Sequence, residues 1–111
     1  MDNKKNDKYY ASKALENIKV IQKYIRHKTY DEFISDEELI DAIMFRLIQL
    51  IENIKNLSVK FKTENSYVPW GKIMGFRNGI VYEYGKTDYT IVYETITQDL
   101  DNLLAMLESV L

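Results

Sequence analysis

Val68-Pro69-Trp70-Gly71-Lys72-Ile73-Met74-Gly75-Phe76-Arg77-Asn78-Gly79-Ile80-Val81-Tyr82-Glu83-Tyr84 reads as an amphipathic helix that opens at a proline. Pro69 suits a helix start, because its missing N–H would have no intrahelical partner there. Trp70, Ile73, Met74, Ile80, Val81 and Tyr84 follow. At about 100° per residue they lie within roughly 120° of one another and form one face. Arg77 falls at the middle of that face. A guanidinium in an apolar stripe needs a partner, because an unpaired buried charge is strongly disfavoured. Two explanations stand: a structural ion pair, or a cleft in which Arg77 meets an anion. Gly71, Gly75 and Gly79 share the opposite side, at a spacing that permits close packing of another helix. Each weakens the helix by about 1 kcal/mol, and Gly85 suits its end.

Working upstream, Lys62 to Tyr67 is a polar loop. Before it, Leu39, Ile40, Ile43, Leu47, Leu50, Ile51, Ile54, Leu57 and Phe61 carry a helical stripe for about six turns. Ser35 is placed to cap that helix, with Glu38 completing a capping box. Arg46 is set either to approach the same cleft as Arg77 or to form a solvated or intrahelical ion pair. Thr29 to Ser35 is a short connection with Phe33 and Ile34 pinned to the core. The first helix runs from about Lys8 and ends between Arg26 and Tyr30, with Ala11, Ala14, Leu15, Ile18, Ile21 and Ile25 on one side. Residues 1–7 read as a polar, frayed start. Downstream, Thr87 or Asp88 caps a last helix bearing Val92, Ile96, Leu100, Leu103, Leu104, Leu107 and Leu111. Asp99 and Asp101 mark a bend there, and the apolar C-terminal end is expected to pack on something.

Amphipathic helices with short connections, and no strand alternation, imply an all-α helical bundle. The 111 residues suffice for one domain with one core. A net charge of −2 supplies no global attraction to nucleic acid, so any such contact needs a local cluster. There is no cysteine, which excludes disulfide and thiol chemistry. No apolar run approaches the ~20 residues that span a bilayer, and the polar start is not a secretion signal. His27 is the only histidine and reads as a surface residue near a helix C-terminus. One histidine without cysteine does not build a usual transition-metal shell, so neither metal nor cofactor is expected. Arg77 and Tyr82 are about 140° apart on an ideal helix. They meet in one cleft only if the helix end distorts or a second subunit supplies half the site. A tyrosine with a pKa near 10 is a poor general base at neutral pH, and these tyrosines equally suit a packed interface.

Val68-Pro69-Trp70, Ile73, Met74 to Asn78, Val81 to Tyr84, Asp88, Val92-Tyr93 and Asp99-Leu100 together resemble the HepT group of the HEPN superfamily. Upstream, Asp31-Glu32-Phe33, Ala42-Ile43 and Arg46 to Glu52 match that group's second helix, so the likeness covers nearly the whole chain. The resemblance implies an antiparallel bundle of four to five helices, homodimeric, with its cleft at the dimer interface. It implies a metal-independent ribonuclease toxin that acts on RNA in the cytoplasm. It also implies a partner, a minimal nucleotidyltransferase antitoxin that attaches AMP to the motif tyrosine. The family motif is Arg, four residues, His, one residue, Tyr. Arg77 and Asn78 match its start, and Tyr84 matches the modified tyrosine. Tyr82 stands at the histidine position, and His27 lies in the wrong helix to replace it. RNA cleavage through the 2′-hydroxyl needs a group that titrates near neutrality. The expectation is therefore a catalytically weakened toxin, or a non-catalytic binding module that docks the nucleotidyltransferase and accepts AMP. Ile51 and Asn53 also depart from the small residues usual beside Glu52, with close packing the property at stake.

Overall fold

The computed structural model describes residues 6–71, 73–74 and 88–111, and every regular element among them is helical. The chain starts as α1 (Asp7–Ile25), capped by Asn6, whose side-chain oxygen accepts from the Tyr9 amide at 3.1 Å. Asn6 and Asp7, expected in the frayed start, are thus part of the helix. Asp7 goes further: its two carboxylate oxygens accept from the Ser58 backbone N–H and hydroxyl, each at 2.7 Å. Past the other end, His27 is exposed and sits in the left-handed region at φ 62°, while the Lys28 N–H returns to the Ile25 carbonyl. Left-handed backbone costs a residue with a Cβ about 1–2 kcal/mol, which the chain-reversing contact here offsets.

The expected connection over 29–35 holds a helix of its own, α2 (Tyr30–Ile34). Its capping box is Thr29 with Glu32, six positions before the box expected at Ser35 and Glu38. The Thr29 hydroxyl accepts from the Glu32 amide at 3.1 Å, and the Glu32 carboxylate accepts from the Thr29 amide at 2.9 Å. Those bonds, the backbone one first, hold the exposed Glu32 carboxyl below its ordinary value. Ser35 does not cap the next helix. It ends α2 in helical backbone and its hydroxyl donates back to the Asp31 carbonyl. Asp36, in extended backbone, takes the cap of α3 (Glu37–Lys55) through the Leu39 amide. Phe33 is fully buried, as expected, but Ile34 is 37% exposed.

The long stripe is likewise two helices. α3 stops at Asn56, and Ser58 caps α4 (Val59–Glu64), so Lys62 belongs to a helix rather than to a loop. Isoleucine is only a moderate helix former, by a few tenths of a kcal/mol. Burying one contributes about 1.5–3 kcal/mol, so packing rather than propensity holds α3. Its Ile43, Leu47, Leu50 and Ile54 are buried, as are Ala11, Ala14, Ile18 and Ile21 of α1. These two helices make the most extensive contact in the described structure. They run antiparallel, since Asp7 at the start of α1 meets Ser58 just past the end of α3.

The last helix is one rod in three parts: α5 (Tyr89–Glu94), a π-helical turn (Thr95–Asp99) and α6 (Leu100–Val110). Asp88, not Thr87, is the cap and accepts from the Thr90 amide. The irregularity lies before Asp101, which is inside α6 and accepts from Gln22 at 2.8 Å. Val92, Ile96 and Leu100 repeat every four residues, a spacing that drifts about 40° per step on a straight α-helix. The wider π turn absorbs that drift. The Thr97 hydroxyl favours it by bonding the Tyr93 carbonyl at 2.7 Å, where the helix amide would otherwise point. Leu107 is buried, yet Val110 and Leu111 are 37% and 47% exposed, so the expected packing of the C-terminal end stops one turn short within this chain. Tyr93 joins the rod to α2: its ring meets Phe33 and Tyr30, and its hydroxyl donates to the Lys28 carbonyl at 2.6 Å.

Candidate functional site

Arg77, Asn78, Tyr82 and Tyr84 lie outside the described residues, as do Gly75, Gly79 and Gly85. What the structure describes is the first turn of their segment and the ground around it. Residues 70, 71, 73 and 74 are helical, and the Ile73 N–H reaches the Pro69 carbonyl at 3.2 Å. Pro69 therefore sits at the helix start, as its fixed φ predicts. Trp70 fixes this turn to α4. Its indole N–H is shared between the Lys62 and Asn65 carbonyls, both at 3.1 Å, and its ring meets the Phe61 edge at 6.3 Å between centroids. The two carbonyls belong to the last turn of α4 and its C-cap, where helix acceptors lack backbone donors. At Gly71 an added Cβ would meet nothing within 4 Å, so close helix packing does not explain this glycine.

Ile73, Val68 and Pro69 also line a cavity of about 560 Å³, walled opposite by α3 and by the rod of α5 to α6. Leu47, Leu50 and Ile51 face it from α3. Its few polar groups, such as Thr95, Asp99 and Asn102, gather on the rod. Among the described residues that line it there is no histidine, lysine or arginine. It is an apolar space beside the segment that carries Arg77. Ile51, flagged as a departure beside Glu52, fills part of this wall at 2% exposure.

Arg46 has a partner that its sequence position did not suggest. Its guanidinium donates to the Asn17 side-chain oxygen at 3.2 Å, and the Asn17 amide nitrogen donates to the Asn53 side-chain oxygen at 2.8 Å. Asn17 is only 7% exposed, a buried polar residue on the apolar side of α1. One amide thus crosses the α1–α3 seam and holds two α3 side chains two turns apart. The expectation of an ion pair for Arg46 gives way to this neutral bridge, and Asn53 is its far end. Arg46 also lies over the ring of Phe45, 5.9 Å from the centroid, and Phe45 is 58% exposed. The available signal was an asparagine one residue before Ile18 in an otherwise apolar stripe. The part of the expectation that relates Arg46 to Arg77 falls outside the described residues.

Among the described residues, no cluster of three or more His, Cys, Asp or Glu is arranged to hold a metal ion. No helix there is long and apolar enough to cross a membrane. His27 faces solvent.

Residues 14–110 match the family model described as ribonuclease HepT-like. A Caldanaerobacter subterraneus protein named "Putative RNase" is 27% identical over 107 residues, covering 96% of both chains. A Thermococcus cleftensis protein named "Probable ribonuclease HepT" is 24% identical over 105 residues, covering 95% of this chain and 96% of its own. A Methanocaldococcus jannaschii protein named "Gamma-glutamylcyclotransferase and putative RNase" is 30% identical over 100 residues. That alignment covers 90% of this chain but 45% of the relative, so this chain spans about half of that protein. No solved structure matches the chain.

The Asn17 bridge is measurable. In a double-mutant cycle of Asn17→Ala and Arg46→Ala, unfolding in urea should show a coupling of about 1 kcal/mol, since the hydrogen bond joins a charged donor to a buried amide. Additive losses would show that the bridge contributes nothing to stability.

Proposed function

Because the chain belongs to the HepT-like ribonuclease family, we propose that it is the toxin of a toxin–antitoxin pair, an endoribonuclease that works without metal in the cytoplasm. In this reading two copies form a homodimer, and the cleft lies between their Trp70-to-Tyr84 segments. The observation that carries it is the spacing of Arg77, Asn78, position 82 and Tyr84 within a family match covering residues 14–110. The second copy answers a geometric difficulty, because Arg77 and Tyr82 diverge by about 140° on one ideal helix.

The chemistry assigns each residue a task. The 2′-oxygen of one nucleotide attacks the adjacent phosphorus, a P–O2′ bond forms, the P–O5′ bond breaks and the departing 5′-oxygen takes up a proton from water. Arg77 holds the phosphate oxygens with paired N–H donors, a geometry that guanidinium matches and ammonium does not. Asn78 orients the substrate by hydrogen bonding. The proton leaving the 2′-hydroxyl needs an acceptor near neutrality, and the motif supplies it from position 82. With Tyr82 there, the phenol donates a hydrogen bond but is rarely ionised at pH 7. The chain is therefore a weakened nuclease. Tyr82→His should raise RNA cleavage and growth inhibition by roughly 100-fold, the lower end of what a positioned general base provides. Equal cleavage by the native and substituted chains would overturn the assignment of position 82.

Tyr82 also favours a second reading, in which the dimer chiefly docks a minimal nucleotidyltransferase antitoxin. Tyr84 then accepts AMP: its phenolic oxygen attacks the α-phosphorus of ATP and pyrophosphate leaves. Intact-mass measurement after incubation with that partner and ATP should show a gain of one AMP, absent in Tyr84→Phe. A gain retained by Tyr84→Phe would place the modification elsewhere.

A further inference from the structure

Beside Trp70 lies a second, shallow groove that adjoins the apolar cavity at Val68 and Pro69. It has a volume of about 520 Å³ and runs between the outer face of α4 and the Pro69–Gly71 turn. Val59, Lys62 and Thr63 share that outer face, as their three- and four-residue spacing requires, and Ser66 lines the groove from the turn after α4. Val59 is 82% exposed, the highest value among the exposed large apolar side chains. Nothing in the α1–α3 core requires a valine there. The half-buried indole of Trp70 forms a wall, held in place by its two carbonyl acceptors. The floor at Gly71 is open. Lys62 is the one charged side chain among the described lining residues, so the groove carries a local positive charge despite the acidic balance of the chain.

We infer that this groove is a single-strand RNA subsite, with a base stacked between the Trp70 ring and Val59 and a backbone phosphate on Lys62. The inference rests on the ribonuclease reading for its choice of ligand. An aromatic wall with an adjacent cation is the combination that binds single-stranded nucleic acid without base specificity. A ring already fixed by hydrogen bonds loses little freedom when a base stacks on it. Thr63 and Ser66 offer hydroxyls to sugar or phosphate.

Trp70 is the only tryptophan, which makes its fluorescence a direct reporter. The full chain is titrated with 2′-O-methyl hexa-adenylate, which lacks the attacking hydroxyl and stays intact. Saturable quenching is expected, weakened about fivefold or more by Lys62→Glu and by Val59→Asp, and weakened further by added salt. Val59 is exposed and Lys62 half-buried, and urea unfolding checks that both variants fold. Binding detected by anisotropy of a labelled strand without quenching would overturn the subsite, as would quenching that neither variant changes. Cleavage of ordinary RNA is assayed in parallel with the Tyr82→His chain, because the native chain is a weakened nuclease. Cleavage without quenching removes the groove and leaves the nuclease reading standing, whereas quenching without cleavage does the reverse.

Discussion

The α1–α3 pairing is the constraint on which the rest of the molecule depends. Ala11 and Ala14 are fully buried and small, so α3 lies close against α1, and Ile18 and Ile21 continue the contact. Burial of this kind is non-directional and would tolerate sliding. Two polar contacts remove that freedom. Asn17 bridges Arg46 and Asn53 across the seam, and Asp7 holds Ser58 beyond the end of α3. A buried amide left unpaired costs about 1–3 kcal/mol, so register shifts that break the bridge are disfavoured. With α3 placed, α4 starts at a defined point, because the same Ser58 is both the partner of Asp7 and the cap of α4.

From α4 the order passes to the helical turn that Pro69 opens, ahead of the motif in sequence. The Trp70 indole reads the last carbonyls of α4, so this turn is positioned by hydrogen bonds as well as by burial. The chain of dependence runs from Asp7 through Ser58 and α4 to Trp70, over residues far apart in sequence. It gives the proline–tryptophan pair a physical role: Pro69 begins the helix and Trp70 aims it. The other side of the bundle is fixed independently, by Phe33 and the tyrosines at 30, 89 and 93.

The residues that the sequence revealed and those it hid differ in kind. Helices with a three-four apolar stripe were legible, because burial dominates their energetics: Ala11 to Ile25, Ile43 to Ile54, and Val92 to Leu107. Interruptions were less so. Leu57 and Phe61 continue the stripe of α3 in number, yet the helix ends at Asn56 because Ser58 finds both a cap and Asp7. Ser35 and Asp36 compete for one cap, and backbone conformation, which no side-chain pattern encodes, gives it to Asp36. The π turn follows from a Thr97 hydroxyl bond to Tyr93 that periodicity does not show. At the site, Arg46 was legible as an arginine needing a partner, but the partner is an amide 29 residues away. Long-range polar pairing is set by three-dimensional neighbours and leaves no local spacing. The motif residues rest on the family resemblance alone, since an arginine among apolar residues equally suits an ion pair.

The most direct measurement is RNA cleavage in EDTA by the Tyr82→His chain, with and without Arg77→Ala, alongside urea unfolding of both. A cleft centred on Arg77 predicts metal-free cleavage that falls by 100-fold or more on Arg77→Ala while the unfolding midpoint stays within the small range of surface substitutions, about ±0.5 kcal/mol. Equal cleavage by the two chains, or a loss of cleavage matched by loss of the fold, would contradict it.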